Sequence, residues 1–112
     1  MKKKNRLTLG RDFKRLKDEG EKLVHPLVVL LVCKNNSPET RTAVVASKAV
    51  GGAVVRNLIK RRLKACINLF WNNIETGWDL IFYSRTAVRS AGFEELCSAV
   101  KHLLKKADVW IE

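Results

Sequence analysis

The residues with the clearest chemical pattern lie between Ser47 and Ala65, in the stretch SKAVGGAVVRNLIKRRLKA. From Lys48 to Lys64 this stretch holds six basic side chains and no acidic one. Lysine and arginine at this density attract the phosphates of a polyanion. A solvated helix face usually mixes charges of both signs, because Glu–Lys pairs three or four residues apart support the helix. We therefore hypothesise that this stretch binds a polyanion.

The same stretch predicts a helix that begins after the turn residues Gly51 and Gly52 and runs to about Trp71. At about 100° per residue, one arc of the helix holds Arg56, Asn57, Lys60, Arg61 and Lys64. The side chains expected to face the core lie on the opposite arc, namely Val55, Leu58, Ile59, Leu63, Cys66, Leu69 and Phe70. Arg62 points into the apolar arc, so we expect its stem to pack while its charged end reaches water.

Length, composition and net charge indicate a single folded domain with an anionic partner. A chain of 112 residues suits one domain with its own core, and 46% apolar and 29% charged residues are typical of a folded chain. The net charge of +11 points to nucleic acid or an anionic surface as partner. No apolar segment of a secretion signal follows the basic N-terminus, and no run is long enough to span a membrane. We expect a cytoplasmic protein.

Neither the cysteines nor the acidic residues form a recognisable site. Cys33, Cys66 and Cys97 are far apart and odd in number, so we expect small buried hydrophobic residues in a reducing compartment rather than metal ligands or disulfide partners. The acidic residues are scattered, and no GxSxG, HExxH or Walker motif occurs. The glycine pair at Gly51 and Gly52 is expected to start the helix, although its N–H groups could also hold a phosphate. We expect that the chain alone is not a catalyst.

The N-terminal part predicts a basic arm and a short helix. Residues 1–6 read as a flexible basic arm of a single domain that spans residues 1–112. Leu9, Phe13 and Leu16 share a helical face, and Gly20 is expected to end that helix. Phe13 is either a core anchor or a partly exposed aromatic residue that stacks on a nucleotide base.

Three apolar runs predict strands at residues 27–33, 40–47 and 78–84. The first two are expected to pair as a hairpin across the turn NNSPE. The pattern alone does not decide whether the segment near Leu23 and Val24 forms a further strand. A last helix at about residues 93–107 places five apolar residues on one face, namely Phe93, Leu96, Val100, Leu103 and Leu104. The order helix, strand, strand, helix, strand, helix predicts a small sheet covered by helices in two layers, of the α+β or mixed α/β kind.

The stretch described first resembles the signature of the bacterial ribonuclease P protein subunit. In that family a Ser-Lys segment, a Val/Ile-Gly-x-Ala-Val step and an Arg-Asn-x-x-Lys-Arg core follow in this order and spacing. The matching residues here are Ser47, Lys48, Val50, Gly51, Ala53, Val54, Arg56, Asn57, Lys60 and Arg61. The NRL start, Asp12 with Phe13, Gly20 and the chain length agree as well, so the resemblance covers the whole chain.

The resemblance implies a fold, an activity and a set of partners. The family fold is a four-stranded sheet with three helices and a left-handed crossover. The family's protein assists a catalytic RNA that uses Mg²⁺ to remove the 5′ leader of precursor tRNA by endonucleolytic cleavage. The implied partners are thus the catalytic RNA and precursor tRNA, with no membrane, no obligate protein partner and no cofactor bound by the polypeptide itself.

Residue roles carry over by position. The residues expected to bind the catalytic RNA are Lys48, Arg56, Asn57, Lys60, Arg61 and Lys64. Those expected to lie toward the leader are Phe13, Lys17, Val28 and Leu30, with Lys48 nearby. Family members often have a third cation where this chain has Leu58, and an aromatic residue where it has Lys17. Because base stacking is weaker without aromatic residues, we expect leader binding to depend more steeply on salt.

Two other classes of function compete with this interpretation. A structural RNA-binding protein of the ribosomal type would use the same cationic helix without any role in processing, and only the ordered motif argues against it. A module that binds membrane surfaces would use the basic arm and the basic helix. The apolar face of that helix is needed for the core, which argues against the membrane alternative.

Overall fold

The computed structural model describes residues 3–7 and 9–112, with the backbone alone at Lys3 and Leu9. Met1 and Lys2 of the predicted arm, and the predicted packing of the Leu9 side chain, lie outside the described residues. The helices and strands follow in the order α1 (Leu9–Glu19), β1 (Glu21–Val24), β2 (Val28–Lys34), β3 (Arg41–Val45), α2 (Ala53–Leu69), β4 (Trp78–Ser84) and α3 (Phe93–Lys106). The strand left open near Leu23 therefore forms, as β1.

The four strands make one sheet in the order β1-β2-β4-β3. Strand β2 runs antiparallel to both of its neighbours, β1 and β4, and β3 runs parallel to β4. The hairpin predicted between the strands at residues 27–33 and 40–47, which are β2 and β3 here, is therefore wrong, because β4 lies between them. The connecting loop bonds to the residues just before β4: the Asn35 N–H donates to the Gly77 carbonyl at 3.0 Å, and the Thr40 hydroxyl to the Glu75 carbonyl at 2.6 Å.

Strands β3 and β4 are parallel neighbours joined through α2, which is the crossover that the family resemblance implies. A parallel pair needs such a connection, because the end of one strand and the start of the next lie at opposite ends of the sheet and no tight turn can join them. Three helices on a four-stranded mixed sheet confirm the α+β class. The hand of the crossover stays a prediction.

Helices cover both faces of the sheet, so the domain has three layers rather than the two expected. On one face, Val28, Leu30 and Val32 of β2 pack in the larger core with α2 and α3. On the other face, Leu16 of α1 packs against Leu31 of β2 and Ile81 of β4. Successive side chains of a strand point to opposite faces, and a strand covered on both faces is apolar throughout.

Helix α1 ends where the sequence predicts, because Gly20 sits closely against the sheet. The Gly20 N–H donates to the Leu16 carbonyl at 2.9 Å. A Cβ atom at Gly20 would lie 2.5 Å from that oxygen and 2.8 Å from the carbonyl oxygen of Val32. Only glycine fits there without a backbone shift, so α1 and β2 approach each other more closely than side chains would permit.

The N-terminal segment lies along β3 from Lys4 to Leu7, and the flexibility of the arm stays a prediction. The Asn5 side chain is buried and donates to the Thr40 carbonyl at 2.8 Å. Arg6 forms a bridge with Thr42, whose carbonyl accepts the Leu7 N–H at 3.1 Å. Satisfied backbone groups and a buried amide therefore hold this segment against the sheet.

The core face of α2 differs from the predicted arc at the end of the helix. Ile59, Leu63 and Cys66 are buried as expected, and so is Ile67. Leu69, the last helical residue, is 65% exposed, so its assignment to the core is wrong. Phe93, predicted for the core of α3, is 40% exposed at the first position of that helix. Both residues lie at helix ends, where the periodicity no longer determines what covers a side chain.

Candidate nucleic-acid interface

The basic face belongs to α2, which follows a tight turn. The Val50 N–H donates to the Ser47 carbonyl at 3.1 Å, and Gly51 then takes a φ of +154°, in the region that favours glycine. The Arg56 N–H donates to the Gly52 carbonyl at 2.9 Å, which is the first bond of the helix. The turn thus fixes the start of α2, and with it the direction of every side chain on the basic face.

The basic side chains of α2 border a shallow groove. Asn57, Arg61 and Lys64 are exposed, and Arg56 and Lys60 are half-buried. The residues that line the groove are Val54, Asn57, Leu58, Lys60, Arg61 and Lys64. Leu58, which was assigned to the core-facing arc, is half-buried and lines this groove beside the cations. Val54, also in the lining, is 83% exposed. The groove offers charges for phosphates and two apolar side chains for a sugar or base.

No cation from Lys48 to Lys64 forms an ion pair with a carboxylate among the residues that the structure describes. The Arg56 Nε atom is buried and has no hydrogen-bond partner in the same part of the chain. Arg15 and Arg41, by contrast, both pair with Asp79. Unrelieved charge repels itself, so a bound polyanion would stabilise this face.

The basic surface continues from α2 to the N-terminal segment. A second groove, lined by Arg6, Leu7, Thr42, Ala43, Val44, Lys60 and Lys64, joins the two. Arg6 was predicted only as part of a flexible arm, and its backbone bridge to β3 brings it beside two lysines of α2. Lys48 is exposed in the turn before α2 and lines neither groove.

A separate cleft of about 350 Å³ lies on the opposite face of the sheet, beside α1. Its lining residues are Phe13, Lys17, Gly20, Lys22, Val29, Leu31, Tyr83, Ser84 and Arg85. Phe13 meets Tyr83 edge to face, with ring centroids 5.6 Å apart. An apolar floor with aromatic rings and a cationic rim is the combination that binds single-stranded nucleic acid.

Two of the four residues predicted for this cleft do not line it. Phe13 and Lys17 do, but Val28 and Leu30 are fully buried in the core on the other face. Because side chains alternate along a strand, the residues of β2 that line the cleft are Val29 and Leu31. The prediction that Val28 and Leu30 face the cleft is therefore wrong, because each lies one position away from the residue of β2 that does.

The Tyr83 hydroxyl is buried and has no hydrogen-bond partner within residues 3–7 and 9–112. Burial raises the pKa of Tyr83 to about 12, so the hydroxyl keeps its proton at neutral pH. A neutral hydroxyl can donate to a phosphate or base and can accept from a donor. Tyr83 thus supplies a polar group to an otherwise apolar cleft floor.

A buried carboxylate holds α1 against the sheet beside the cleft. Asp79 of β4 is fully buried and accepts hydrogen bonds from Arg41 at 3.0 and 2.7 Å and from Asn35 at 2.8 Å. It also pairs with Arg15 of α1. The hydrogen bonds to Asp79 raise the pKa of Arg41, which therefore stays charged. This network links β3 and β4 to α1, the helix whose Phe13 and Lys17 line the cleft.

Sequence reasoning missed several residues of these surfaces. Tyr83, Val29 and Leu31 follow from the alternation within two strands once it is known which face α1 covers. Lys22 belongs to the strand that was left open, and Arg85 was noted only as part of a polar connection. The lone tyrosine beside the run Leu80–Phe82 was a usable signal, because a hydroxyl in an apolar strand usually has a partner.

Within the described residues, no group of three or more His, Cys, Asp or Glu side chains could hold a metal ion. The described helices include none that is both long enough and apolar enough to cross a membrane.

A sequence model of the family described as Ribonuclease P matches residues 1–108. The chain belongs to the ribonuclease P protein family. It is 37% identical over 110 residues to the ribonuclease P protein component of Herpetosiphon aurantiacus, covering 98% of this chain and 89% of that protein. A component from Clostridium botulinum is 33% identical over 109 residues, covering 96% and 98%.

Solved structures of the ribonuclease P family share the fold. The Staphylococcus aureus protein superposes with a TM-score of 0.87 at 26% identity, covering 95% of this chain and 97% of that one. The Thermotoga maritima protein gives 0.84 at 28% identity, covering 90% and 96%. The chain is therefore a subunit of ribonuclease P, the ribonucleoprotein endonuclease that matures the 5′ end of tRNA. The structural RNA-binding alternative has no support from these relatives.

Proposed function

We propose that this chain serves ribonuclease P through two separate surfaces. The basic face of α2 binds the catalytic RNA, and the cleft beside α1 holds the 5′ leader of precursor tRNA. The observation that carries the proposal is their separation: α1 and the cleft lie on one face of the sheet, whereas α2 packs on the other. One protein can therefore hold both RNAs at once and fix their relative position.

The catalytic RNA is bound through phosphates. The contacting residues are Lys48, Arg56, Asn57, Lys60, Arg61 and Lys64, to which Arg6 is added because it shares a groove with Lys60 and Lys64. Each phosphate that a cation neutralises releases counterions, so binding weakens as salt rises, with a slope of about 0.7–0.9 per contact. Val54 and Leu58 add apolar contact within the same groove.

The leader is bound by a mixture of stacking and charge. A base of the leader packs against Phe13, at about 1–3 kcal/mol per base for such stacking. The Tyr83 hydroxyl, which has no partner among the described residues, hydrogen-bonds to a phosphate or base of the leader. Lys17, Lys22 and Arg85 at the rim contact phosphates. Val29 and Leu31, not Val28 and Leu30, form the floor.

We propose a division of labour between the RNA subunit and the polypeptide. The RNA subunit holds Mg²⁺, which supplies the Lewis acid and activated water for hydrolysis. The polypeptide binds and orients the two RNAs and does not itself cut. We place this work in the cytoplasm and propose RNA, rather than an obligate protein, as the partner of both surfaces, because lysine and arginine line both.

Binding measurements on surface variants test the two-surface proposal. Affinity for ribonuclease P RNA is measured over a range of salt concentrations, and affinity of the assembled enzyme for precursor tRNA with leaders of increasing length. The variants are Arg61→Ala/Lys64→Ala on α2 and Phe13→Ala in the cleft. Lys106→Ala, an exposed lysine of α3, serves as the matched control.

The α2 double variant is expected to bind the catalytic RNA more weakly, with a salt slope smaller by about 1.4–1.8 for two lost contacts. Phe13→Ala is expected to keep that binding and to lose affinity only for precursor tRNA that carries a leader. Lys106→Ala is expected to match wild type in both measurements. If Phe13→Ala and the α2 variant weaken the same binding step, the two surfaces do not have separate roles and the proposal fails.

A further inference from the structure

Cys66 of α2 and Cys97 of α3 meet in the contact between these two helices. Their Sγ atoms are 2.6 Å apart, and both are free cysteines. A disulfide bond has an S–S distance of about 2.0 Å, so a short movement of two side chains would bring the sulfurs to bonding distance. Cys33, the remaining cysteine, packs with the smaller core on the opposite face of the sheet.

We propose that Cys66 and Cys97 are a redox-active dithiol, which low-molecular-weight disulfides of the glutathione class oxidise to a disulfide between α2 and α3. The inference rests on the contact between the two thiols and on their unequal burial. It does not depend on how the protein binds RNA. A reducing compartment keeps the pair as thiols, and an oxidising one links it.

The unequal burial sets the order of reaction. Cys66 is fully buried, whereas Cys97 is partly exposed. Burial, together with the hydrogen bond to Cys97, raises the pKa of Cys66, which therefore stays a thiol. Cys97 is the sulfur that a small reagent reaches first.

The disulfide forms in two successive thiol–disulfide exchange steps. The Cys97 thiolate attacks one sulfur of the reagent disulfide, whose S–S bond breaks and releases one thiolate. Cys66 next gives its proton to that released thiolate as its sulfur attacks the sulfur of Cys97. The Cys66–Cys97 bond forms, and the second reagent sulfur leaves and takes up the proton that Cys97 had released. The two protein thiols thereby give up two electrons, and the reagent disulfide is reduced to two thiols.

The link would join residues 31 positions apart in the chain. Such a crosslink removes conformations from the unfolded chain and stabilises the fold when the native geometry accommodates it. Because the sulfurs already touch, we expect the oxidised protein to unfold at a higher temperature than the reduced protein.

The test equilibrates the full-length protein with buffers of graded reduced and oxidised glutathione. Remaining thiols are alkylated after an acid quench, and the modified peptides are mapped by mass spectrometry. Wild type is expected to lose alkylation at Cys66 and Cys97 together, with a crosslinked peptide that lacks two hydrogens and disappears after treatment with dithiothreitol. Cys33→Ser is expected to behave like wild type.

Two variants resolve the order of the steps. Cys97→Ser is expected to leave Cys66 unmodified across the range of buffers. Cys66→Ala, checked for folding by circular dichroism, is expected to accumulate a glutathione adduct at Cys97. The proposal is overturned if wild-type Cys66 and Cys97 lose alkylation independently, if both stay alkylated in the most oxidising buffer, if the crosslink involves Cys33, or if oxidation lowers the unfolding temperature.

Discussion

Replacing Asp79 by alanine should lower the free energy of unfolding far more than the same replacement of an exposed acidic residue. Asp79 is fully buried and binds Arg15 of α1 and Arg41 of β3. Asp12 also pairs with both arginines. The cluster therefore holds two carboxylates and two guanidiniums, and its net charge is zero. The variant leaves two guanidiniums facing one carboxylate.

The magnitude follows from the burial of the partners. Removing one member of a buried ion pair costs about 3–5 kcal/mol. The Arg15 and Arg41 side chains are 29% and 32% exposed, so water solvates part of the charge left behind. We therefore expect the free energy of unfolding to fall by about 3 kcal/mol, at the lower end of that range.

Urea unfolding measures the loss, and a double-mutant cycle assigns it. The proteins are wild type, Asp79→Ala, Arg41→Ala and the double variant, with exposed Asp18→Ala as the matched control. Arg41→Ala should cost less in the Asp79→Ala background than in wild type, because its partner is already gone. A loss no larger than that of Asp18→Ala, or costs that simply add, would refute the reasoning.

Three further expectations follow from burial and charge. Leu63→Ala should lower the free energy of unfolding by about 2–5 kcal/mol in urea, because Leu63 is fully buried between α2 and the sheet; an unchanged midpoint would contradict that packing. Leader affinity should fall steeply with salt, because Lys17, Lys22 and Arg85 line the cleft; an affinity insensitive to salt that collapses in Phe13→Ala would show that stacking dominates. Tyr83, the one tyrosine of the chain, should titrate at about pH 12 by phenolate absorbance. Because folding raises the pKa of Tyr83, the contribution of its protonated hydroxyl to the free energy of unfolding is complete below about pH 10. That contribution is lost as the pH rises from about 10 to about 12. An ordinary tyrosine pKa would show that the hydroxyl is solvated.

The elements with strong local signals were predictable from the sequence. The bounds of β4 were predicted as found, because Trp78–Ser84 is an apolar run between turn signals. The basic and apolar faces of α2 follow from a period that the helix itself fixes, so Ile59 and Leu63 fall in the core as expected. Gly20 ends α1 for a reason visible only in the fold, namely the nearby carbonyl of Val32.

Strand pairing and strand facing depend on contacts that are distant in the sequence. Nothing in the run of residues 27–33 tells which of its two faces α1 covers, since both faces are apolar. Val28 and Leu30 were therefore assigned to the cleft in place of Val29 and Leu31. The partner of β3 was likewise hidden, because β4 lies beyond α2 in the chain and the short loop after β2 imitates a hairpin.

The polar network around Asp79 was hidden for the same reason. Arg15, Arg41 and Asp79 are separated by up to 64 positions, and each alone reads as an ordinary charged residue. Charge balance within the network also explains why these arginines, unlike those of α2, are not free to bind phosphate. Composition gives the net charge of the chain, and only the fold shows which cations remain unpaired.

Cleavage of precursor tRNA at low magnesium tests the central claim most directly. A bacterial ribonuclease P RNA is assayed with and without this protein, and the protein is assayed alone. The account predicts that RNA and protein together cut at the mature 5′ end where neither does so alone, and that Arg61→Ala/Lys64→Ala weakens this gain. Binding of the RNA without any change in cleavage, or a cut made by the protein alone, would contradict it.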